Sequence, residues 1–163
     1  KKAVYDSGFV LGLGTAADFW ALMRKRTGLE GRDDFLSDRI IDGFQIRHWV
    51  IRLVRSLREK GYITGILSDH THWVYQQCSY DHFFKEFDCI YGSYELGKGK
   101  LDATIFTDVV SDLKLLQQEV LFIDDDEGNV KQAREMGLKS FLYVDHRMSI
   151  PEISTVLKET FKQ

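Results

Sequence analysis

The chain has 163 residues, of which 44% are hydrophobic and 29% are charged, and its formal net charge is −3. A chain of this length can form one domain with a buried core, and its composition is that of a soluble globular protein. The negative net charge argues against a nucleic-acid-binding protein, and no apolar stretch reaches the ~18–20 residues that a membrane-spanning helix needs. We therefore expect a single domain that binds neither nucleic acid nor membranes.

The number and spacing of the cysteines indicate the cellular compartment of the protein. Cys78 and Cys89 are too few for a disulfide framework. Neither has the neighbouring His or second Cys that is typical of a nucleophilic thiol, so we interpret both as reduced thiols of the core. No signal peptide is visible at the start of the sequence. Together these features predict a cytoplasmic protein.

The first 43 residues predict one short strand and two helices. Lys2–Tyr5 is an apolar segment close to the minimum length of a strand, and the turn sequence Asp6–Gly8 follows it. Thr15–Gly28 begins with a capping box and ends at glycine, which is typical of a helix. Asp33–Gly43 has the composition of a second, shorter helix. If the strand forms, Asp6 lies at its end.

The rest of the chain predicts alternating helices and strands. Gln45–Lys60 is the clearest helix, because its apolar residues recur on one face and its arginines lie off that face. Four apolar runs typical of strands alternate with helical patterns; the strands are Tyr62–Leu67, Asp88–Tyr91, Val120–Ile123 and Ser140–Val144, and the helices are Thr71–Phe84, Asp102–Leu116, Val130–Met136 and a last one from Pro151. Strands that alternate with helices form a parallel sheet, so we predict an α/β fold.

Four consecutive acids, Asp124–Glu127, directly follow the strand Val120–Ile123. Adjacent carboxylates repel one another, so at neutral pH they bind a cation or retain protons. A hard cation such as Mg²⁺ matches carboxylate oxygens better than a soft metal does. The acids can also cap the following helix, but a cap accounts for only one of the four. The cluster therefore favours a metal site at the carboxyl edge of the sheet.

Polar residues of different kinds follow three of the predicted strands. Ser68 follows the first, Lys100 lies in the loop after the second, and the acidic cluster follows the third. In a parallel sheet these ends lie on one edge, where a hydroxyl, an ammonium and a carboxylate-bound cation could together hold a phosphate. Taken singly, a serine here is often a helix cap and a loop lysine is usually solvated.

A rival metal site is suggested by Asp69-His70-Thr71-His72, with His82 ten residues further on. Two histidines two positions apart do not face each other on a helix, although they can on a strand or loop. No closed set of four ligands is apparent. A zinc site is therefore the less favoured interpretation.

Three segments, Tyr62–Ser68, Gly99–Asp102 and Val120–Val130, resemble motifs two, three and four of the haloacid dehalogenase-like superfamily. The strings are G-Y-x-x-x-I-L-S, G-K-x-K-x-D and F-I-D-D-x-x-x-N-V, in the family's order, and the likeness covers roughly residues 45–145. The chain is most similar to the branch with a helical cap after the first strand. The resemblance implies a three-layer Rossmann-like sandwich at 45–163 and a small or incomplete helical cap at about 9–44, within one domain of residues 1–163.

The resemblance also implies roles for individual residues in Mg²⁺-dependent hydrolysis of a small phosphorylated metabolite. Asp6 would be the nucleophile that forms an aspartyl-phosphate intermediate and would also contact the metal. The remaining implied roles are substrate binding by Ser68, Asp69 and Lys100, with Ser68 and Lys100 contacting the phosphoryl group and Lys100 also steadying the nucleophile, and Mg²⁺ binding by Asp125 with Asp124 beside it. The sequence does not indicate an oligomeric state.

Two departures from the family pattern keep alternatives open. Gly8 stands where family phosphatases have a second Asp as general acid and base, and losing proton transfer typically removes a factor of ~10²–10⁴ in rate. Asp69 stands where Asn is common, which adds a negative charge near a predicted anion site. A dehalogenase-like hydrolase that cleaves a carbon–halogen bond does not need the second Asp. A catalytically degenerate binding protein is the non-enzymatic alternative.

Overall fold

The computed structural model describes residues 2–76, 82–143, 155, 157 and 158. The chain divides into two compact units, Lys1–Gly99 and Lys100–Gln163. Each unit contains one two-stranded parallel sheet. The predicted boundaries of a cap at about 9–44 and a core at 45–163 stay a prediction.

The first unit places several helices before and between its two strands. Its elements are α1 (Lys2–Asp6), α2 (Ala16–Thr27), α3 (Asp33–Asp42), α4 (His48–Glu59), β1 (Gly65–Ser68), β2 (Cys89–Gly92) and α5 (Ser93–Leu96), with 3₁₀ turns at Phe9–Leu11 and His72–Gln76. The helices predicted from Thr15, Asp33 and Gln45 are confirmed. The strands predicted at Tyr62–Leu67 and Asp88–Tyr91 are confirmed as β1 and β2.

Helix α2 shows why these local predictions succeed. The Thr15 hydroxyl accepts a hydrogen bond from the Asp18 backbone N–H at 3.2 Å, and the Asp18 carboxylate accepts one from the Thr15 backbone N–H at 2.8 Å. These two bonds form the predicted capping box. Gly28 ends the helix with φ +68°, a left-handed conformation that glycine adopts without steric cost.

The prediction of a strand at Lys2–Tyr5 is wrong, because these residues form α1. The Ser7 N–H donates to the Ala3 carbonyl at 3.1 Å, and the Gly8 N–H donates to the Tyr5 carbonyl at 2.9 Å. Lys and Ala favour helix, and so short an apolar run has too few alternating positions to specify a strand. Asp6 therefore ends a helix and does not end a strand.

Strands β1 and β2 run parallel with Gly65 opposite Cys89 and Ser68 opposite Gly92. Their carboxyl ends therefore lie side by side, and the loop that begins at Asp69 and the helix α5 that begins at Ser93 leave from neighbouring positions. The helix predicted at Thr71–Phe84 begins instead as the 3₁₀ turn His72–Gln76, and residues 77–81, including Cys78, lie outside the described residues.

The core of the first unit is an aromatic cluster of Phe9, Phe19, Trp20 and Trp73. The ring centroids of Phe9 and Trp73 lie 4.8 Å apart in an edge-to-face arrangement, which aromatic pairs prefer. This cluster holds the N-terminal segment around Phe9 against the turn that follows β1. Sequence periodicity did not indicate that pairing.

The second unit is a β-α-β arrangement preceded by one helix. Its elements are α6 (Thr104–Asp112), a 3₁₀ turn (Gln117–Glu119), β3 (Leu121–Asp124), α7 (Glu127–Glu135) and β4 (Lys139–Leu142). Strands β3 and β4 are parallel, with Leu121 opposite Lys139 and Asp124 opposite Leu142. The predicted strand end at Val144 and the start of the last helix at Pro151 lie outside the described residues.

Apolar residues of α6 and α7 form the core of the second unit. The buried side chains include Ile105, Phe106 and Val110 of α6, Val130 and Ala133 of α7, and Leu138 before β4. The rings of Phe106 and Phe122 meet edge to face with centroids 5.0 Å apart, which packs α6 against β3. This packing fixes the carboxyl end of β3, where the acidic cluster begins.

The α/β fold class is confirmed, because helices and parallel strands alternate along the chain. The sheet is smaller than predicted: in the described ranges the strands form two two-stranded sheets. The described helices include none that is long and apolar enough to cross a membrane.

Candidate active site

The four acids after β3 have different environments. Asp124 is the last residue of β3, and Asp126 is the N-cap of α7. The Asp126 carboxylate accepts a hydrogen bond from the Asn129 backbone N–H at 3.1 Å. Helix capping therefore accounts for Asp126 but not for its neighbours.

Asp124 forms a buried ion pair with Lys100. The Lys100 Nζ lies 2.6 Å from the Asp124 Oδ2, and the two side chains are only 10% and 8% exposed. The Lys100 ammonium also lies 5.9 Å from the centroid of the Phe122 ring. A positive charge is thus held at the carboxyl end of β3.

The other oxygen of Asp124 is also engaged. Its Oδ1 accepts hydrogen bonds from the Asp126 backbone N–H at 2.8 Å and from the Asn129 Nδ2 at 3.1 Å. Asn129 is buried in the first turn of α7. Three donors therefore fix the orientation of the Asp124 carboxylate, which suits Asp124 to supporting Lys100 more than to binding a metal ion.

The Asp125 side chain is exposed. Over residues 2–76 and 82–143, no hydrogen bond or ion pair engages its carboxylate. Its oxygens are thus available to a ligand outside the protein. The adjacent, fully engaged Asp124 keeps the loop that carries Asp125 in place.

The chemistry of these donors fits a magnesium ion. Mg²⁺ usually retains several waters and is bound through one or two carboxylates, so the Asp125 carboxylate is a suitable ligand. The part of the chain that the structure describes contains no group of three or more His, Cys, Asp or Glu residues that could hold a metal ion. The Asp125 carboxylate therefore fits a largely hydrated hard cation.

Among the described residues no rival zinc site is found, and the two histidines of Asp69-His70-Thr71-His72 have different partners. The His70 Nε2 lies 3.0 Å from the Tyr75 hydroxyl and 3.6 Å from the Glu95 carboxylate. The His72 ring instead packs edge-on against Phe9 at a centroid distance of 5.3 Å. No metal-holding cluster includes His82 among the described residues.

The surroundings of His70 shift two pKa values. Burial lowers the pKa of His70, and the negative charges of Glu95 and Asp69 oppose this effect. Burial, together with Glu95, raises the pKa of Tyr75 to about 12. Burial therefore favours the neutral imidazole of His70, and the Tyr75 hydroxyl is protonated at neutral pH.

Ser68 and Asp69 lie at the end of β1 in the first unit. Ser68 is the last residue of the strand and pairs with Gly92. The Tyr5 hydroxyl donates a hydrogen bond to the Asp69 Oδ2 at 2.6 Å. The predicted anion-binding residue Ser68 is thus followed by a carboxylate that already has a donor.

Asp6 does not have the position from which its nucleophilic role was inferred. It ends α1, and its carboxylate accepts a hydrogen bond from the Arg26 guanidinium at 2.7 Å. The side chains of Asp6 and Arg26 are 34% and 41% exposed, so this is a surface ion pair. The role of Asp6 as nucleophile and metal ligand stays a prediction from the resemblance.

Sequence reasoning missed two residues, one in each unit, that hold a carboxylate in place. Asn129 stands in the F-I-D-D-x-x-x-N-V string, so the motif contained a signal for its bond to Asp124. Tyr5 carries no such signal, because its partner Asp69 lies 64 positions away.

Comparison with known proteins identifies similar sequences. The profile of the haloacid dehalogenase-like hydrolases matches residues 16–137. Bifunctional epoxide hydrolase 2 of Rattus norvegicus is 26% identical over 121 residues, which are 70% of this chain and 22% of that protein. A drimenol cyclase of Aspergillus calidoustus is 37% identical over 57 residues, 35% of this chain and 11% of that protein. The chain thus spans about a fifth or less of the length of these curated relatives.

Solved structures with similar folds include an enzyme of the HAD family from Bacteroides thetaiotaomicron. It superimposes with a TM-score of 0.74 at 25% identity, covering 90% of this chain and 75% of that one. Its complex with magnesium and inorganic phosphate gives a TM-score of 0.71 at 26% identity, covering 86% and 75%. A predicted HAD-like family hydrolase from Porphyromonas gingivalis shares the fold, with a TM-score of 0.77 at 22% identity over 96% of this chain and 88% of that one.

Proposed function

The chain belongs to the haloacid dehalogenase-like hydrolases, and we propose that it is a Mg²⁺-dependent phosphatase that acts on a small phosphorylated metabolite. The observation that carries the proposal is the buried ion pair of Lys100 and Asp124 beside the exposed carboxylate of Asp125. The structural neighbour from Bacteroides thetaiotaomicron, which was crystallised with magnesium and inorganic phosphate, supports it.

Lys100 would bind the phosphoryl group. An ammonium carries three N–H donors, one of which binds Asp124 at 2.6 Å, and its hydrogen bonds to charged phosphate oxygens are strong. Burial strengthens the interaction, because a charge in a poorly hydrated site acts over a lower effective dielectric constant than in water. The Asp124 carboxylate fixes the position of the ammonium, and Asn129 in turn fixes the carboxylate.

Asp125 would hold the Mg²⁺ ion, which when bound neutralises phosphoryl charge and orients the group for attack. The hydrogen bond from the Asp126 N–H to Asp124 fixes the backbone on both sides of Asp125. Helix α7 begins directly after this turn, with Asp126 as its cap. The exposed carboxylate is therefore carried by a rigid loop.

Ser68 would donate a hydrogen bond to the phosphoryl group, as the resemblance implies. A covalent aspartyl-phosphate intermediate needs a carboxylate nucleophile, for which Asp6 is the residue that the resemblance indicates. The surface ion pair between Asp6 and Arg26 gives a specific reason to test a second function, a binding protein of this fold without catalysis.

The proposal is tested by measuring phosphate release from a panel of small phosphomonoesters with and without Mg²⁺. We expect Mg²⁺-dependent release that Asp125→Asn abolishes. Glu127→Gln is the matched control, because it removes an exposed carboxylate only two positions away, in the first turn of α7. Absence of turnover in the unmodified chain, with Mg²⁺-dependent binding of inorganic phosphate retained, would favour the binding protein. Absence of both turnover and binding would contradict the phosphatase proposal.

A further inference from the structure

The Tyr5–Asp69 hydrogen bond is part of a tightly packed group of three residues. The Tyr5 hydroxyl donates to the Asp69 Oδ2 at 2.6 Å. Gly99 packs against both: a Cβ atom at this position would lie 2.3 Å from the Tyr5 Oη and 3.1 Å from the Asp69 Oδ1. A residue larger than glycine at position 99 would therefore displace the two side chains.

The segment that carries Tyr5 is anchored to the ends of both strands of the first unit. The Ser93 hydroxyl, which is fully buried after β2, donates to the Val10 carbonyl at 2.8 Å and accepts from the His70 N–H at 3.1 Å. A Cβ atom on Gly12 would lie 2.5 Å from the Tyr94 carbonyl oxygen. The loop after β1 is therefore fixed at Asp69 by Tyr5 and at His70 by Ser93.

The negative charge of Asp69 disfavours phosphate binding at Ser68, and the hydrogen bond from Tyr5 can reduce this effect. Ser68, the proposed phosphoryl ligand, directly precedes Asp69, and a carboxylate near a phosphate dianion is repelled by it. A hydrogen bond to the carboxylate orients it and offsets part of its charge. The Tyr5 hydroxyl also fixes the position of one carboxylate oxygen, Oδ2, so this donor constrains the orientation of the negative charge.

We propose that Tyr5 is a positioning residue that holds the Asp69 carboxylate away from the phosphate bound at Ser68. This inference rests on the proposed function. It makes Tyr5 and Asp69 a coupled pair: the tyrosine hydroxyl is needed for phosphate binding only while residue 69 is charged. A merely structural role for Tyr5 would not depend on that charge.

The test measures the affinity for inorganic phosphate in the presence of Mg²⁺ by titration calorimetry. Tyr5→Phe removes only the hydroxyl, and we expect about a tenfold weaker affinity, the size expected from one hydrogen bond to a charged group. Tyr62→Phe is the matched control. It also removes a tyrosine hydroxyl, but from a residue that precedes the start of β1, whereas Ser68 lies at the end of that strand. We expect no change in the phosphate affinity of this variant.

Asp69→Asn supplies the decisive comparison. In that background Tyr5→Phe should change the phosphate affinity less than about twofold, because an uncharged amide does not repel the phosphate. An equal loss in both backgrounds, or no loss in either, would overturn the inference while leaving the phosphatase proposal intact. If the unmodified chain does not bind phosphate with Mg²⁺, the proposed function fails and this inference fails with it.

A second variant covers the case in which Tyr5→Phe does not fold. Gly99→Ala places a Cβ atom against the Tyr5 hydroxyl and should displace it from Asp69. We expect the same weakening of phosphate binding, relieved again by Asp69→Asn. A weakening that Asp69→Asn does not relieve would overturn the inference, because it would show an effect that does not pass through the Asp69 charge.

Discussion

The Lys100 ammonium and the Asp124 carboxylate lie 2.6 Å apart, and neither side chain is more than a tenth exposed. Each charge is costly to bury alone, and each is compensated by the other. The pair thus links the proposed phosphate ligand to the strand that carries the proposed metal ligand. The contribution of the pair to the free energy of unfolding can be measured separately from its proposed role in phosphate binding.

Removing one member of this pair should destabilise the protein strongly. Lys100→Met leaves the Asp124 charge buried without its counter-ion, which typically costs ~3–5 kcal/mol in the free energy of unfolding. Lys100→Met combined with Asp124→Asn should cost less than Lys100→Met alone, because an amide oxygen still accepts from Asn129 and carries no charge. Urea denaturation measures both. A double variant no more stable than Lys100→Met would contradict this explanation.

Asp125→Asn should leave the stability of the metal-free protein nearly unchanged. The carboxylate is exposed, and substitutions at such positions usually change the free energy of unfolding by no more than ~0.5 kcal/mol. In the unmodified chain, Mg²⁺ at ~100 times its Kd should stabilise the fold by about 2.7 kcal/mol, and the variant should lose this gain. Thermal melts with and without Mg²⁺ measure it, with Glu127→Gln as the control. A Mg²⁺ effect that persists in Asp125→Asn would place the ion elsewhere.

Asp6→Asn tests whether the Asp6 carboxylate is catalytic or is only part of a surface ion pair. Its ion pair with Arg26 is partly exposed, and such pairs contribute only ~0–1 kcal/mol. We expect unchanged melting and, if Asp6 is the nucleophile, loss of phosphate release. Turnover at the level of the unmodified chain would show that another group attacks the substrate.

Two glycines with the same backbone conformation should differ in their tolerance of alanine. Gly12 and Gly28 have φ values of +66° and +68°, so alanine costs roughly 1–2 kcal/mol at either position. At Gly12 the new Cβ would also lie 2.5 Å from the Tyr94 carbonyl oxygen, whereas at Gly28 nothing lies within 4 Å. Gly12→Ala should therefore lower the melting temperature clearly more than Gly28→Ala does. Equal effects would show that the N-terminal segment is not held against Tyr94.

His70 should make the fold sensitive to mild acid. Burial lowers its pKa below the ordinary value of 6.5, so in the window between these two values the unfolded chain binds a proton that the folded protein does not. The contribution of His70 to the free energy of unfolding is therefore complete above about pH 6.5, and it is lost as the pH drops through the lowered pKa of His70. Melting temperatures at pH 7.5 and 5.5 should differ less in His70→Gln than in the unmodified chain. The exposed His82→Gln is the control, and a difference unchanged by His70→Gln would contradict the assignment.

The sequence predicted the second unit well because its signals are local. The apolar run before Asp124, the acids after it and the glycine after α7 lie within about 20 residues of one another. The elements β3, α7 and β4 overlap the predicted strand, helix and strand, although α7 begins three residues before the predicted start at Val130. The first segment failed for the opposite reason: Lys2–Tyr5 is too short for its own pattern to choose between strand and helix.

The candidate site was predictable in its residue types but not in its pairings. The motifs identified Lys100, Asp124 and Asp125, and the structure adds that Lys100 pairs with Asp124 and leaves Asp125 exposed. The Tyr5–Asp69 bond joins residues 64 positions apart, so no local pattern reports it. Such a contact depends on how the aromatic core places Phe9, which is a tertiary property.

The strand registers have a consequence for how the chain acquires its fold. Gly65 pairs with Cys89, and Leu121 pairs with Lys139, so each sheet closes a loop of about 20 residues. Loop-closure entropy changes by only ~0.6 kcal/mol when a loop doubles in length, so the two closures cost nearly the same. Neither sheet has an entropic advantage over the other. The order in which they form is therefore set by side-chain burial around each pair of strands, and pulsed hydrogen exchange during refolding would read that order directly from the amides of β1 and β3.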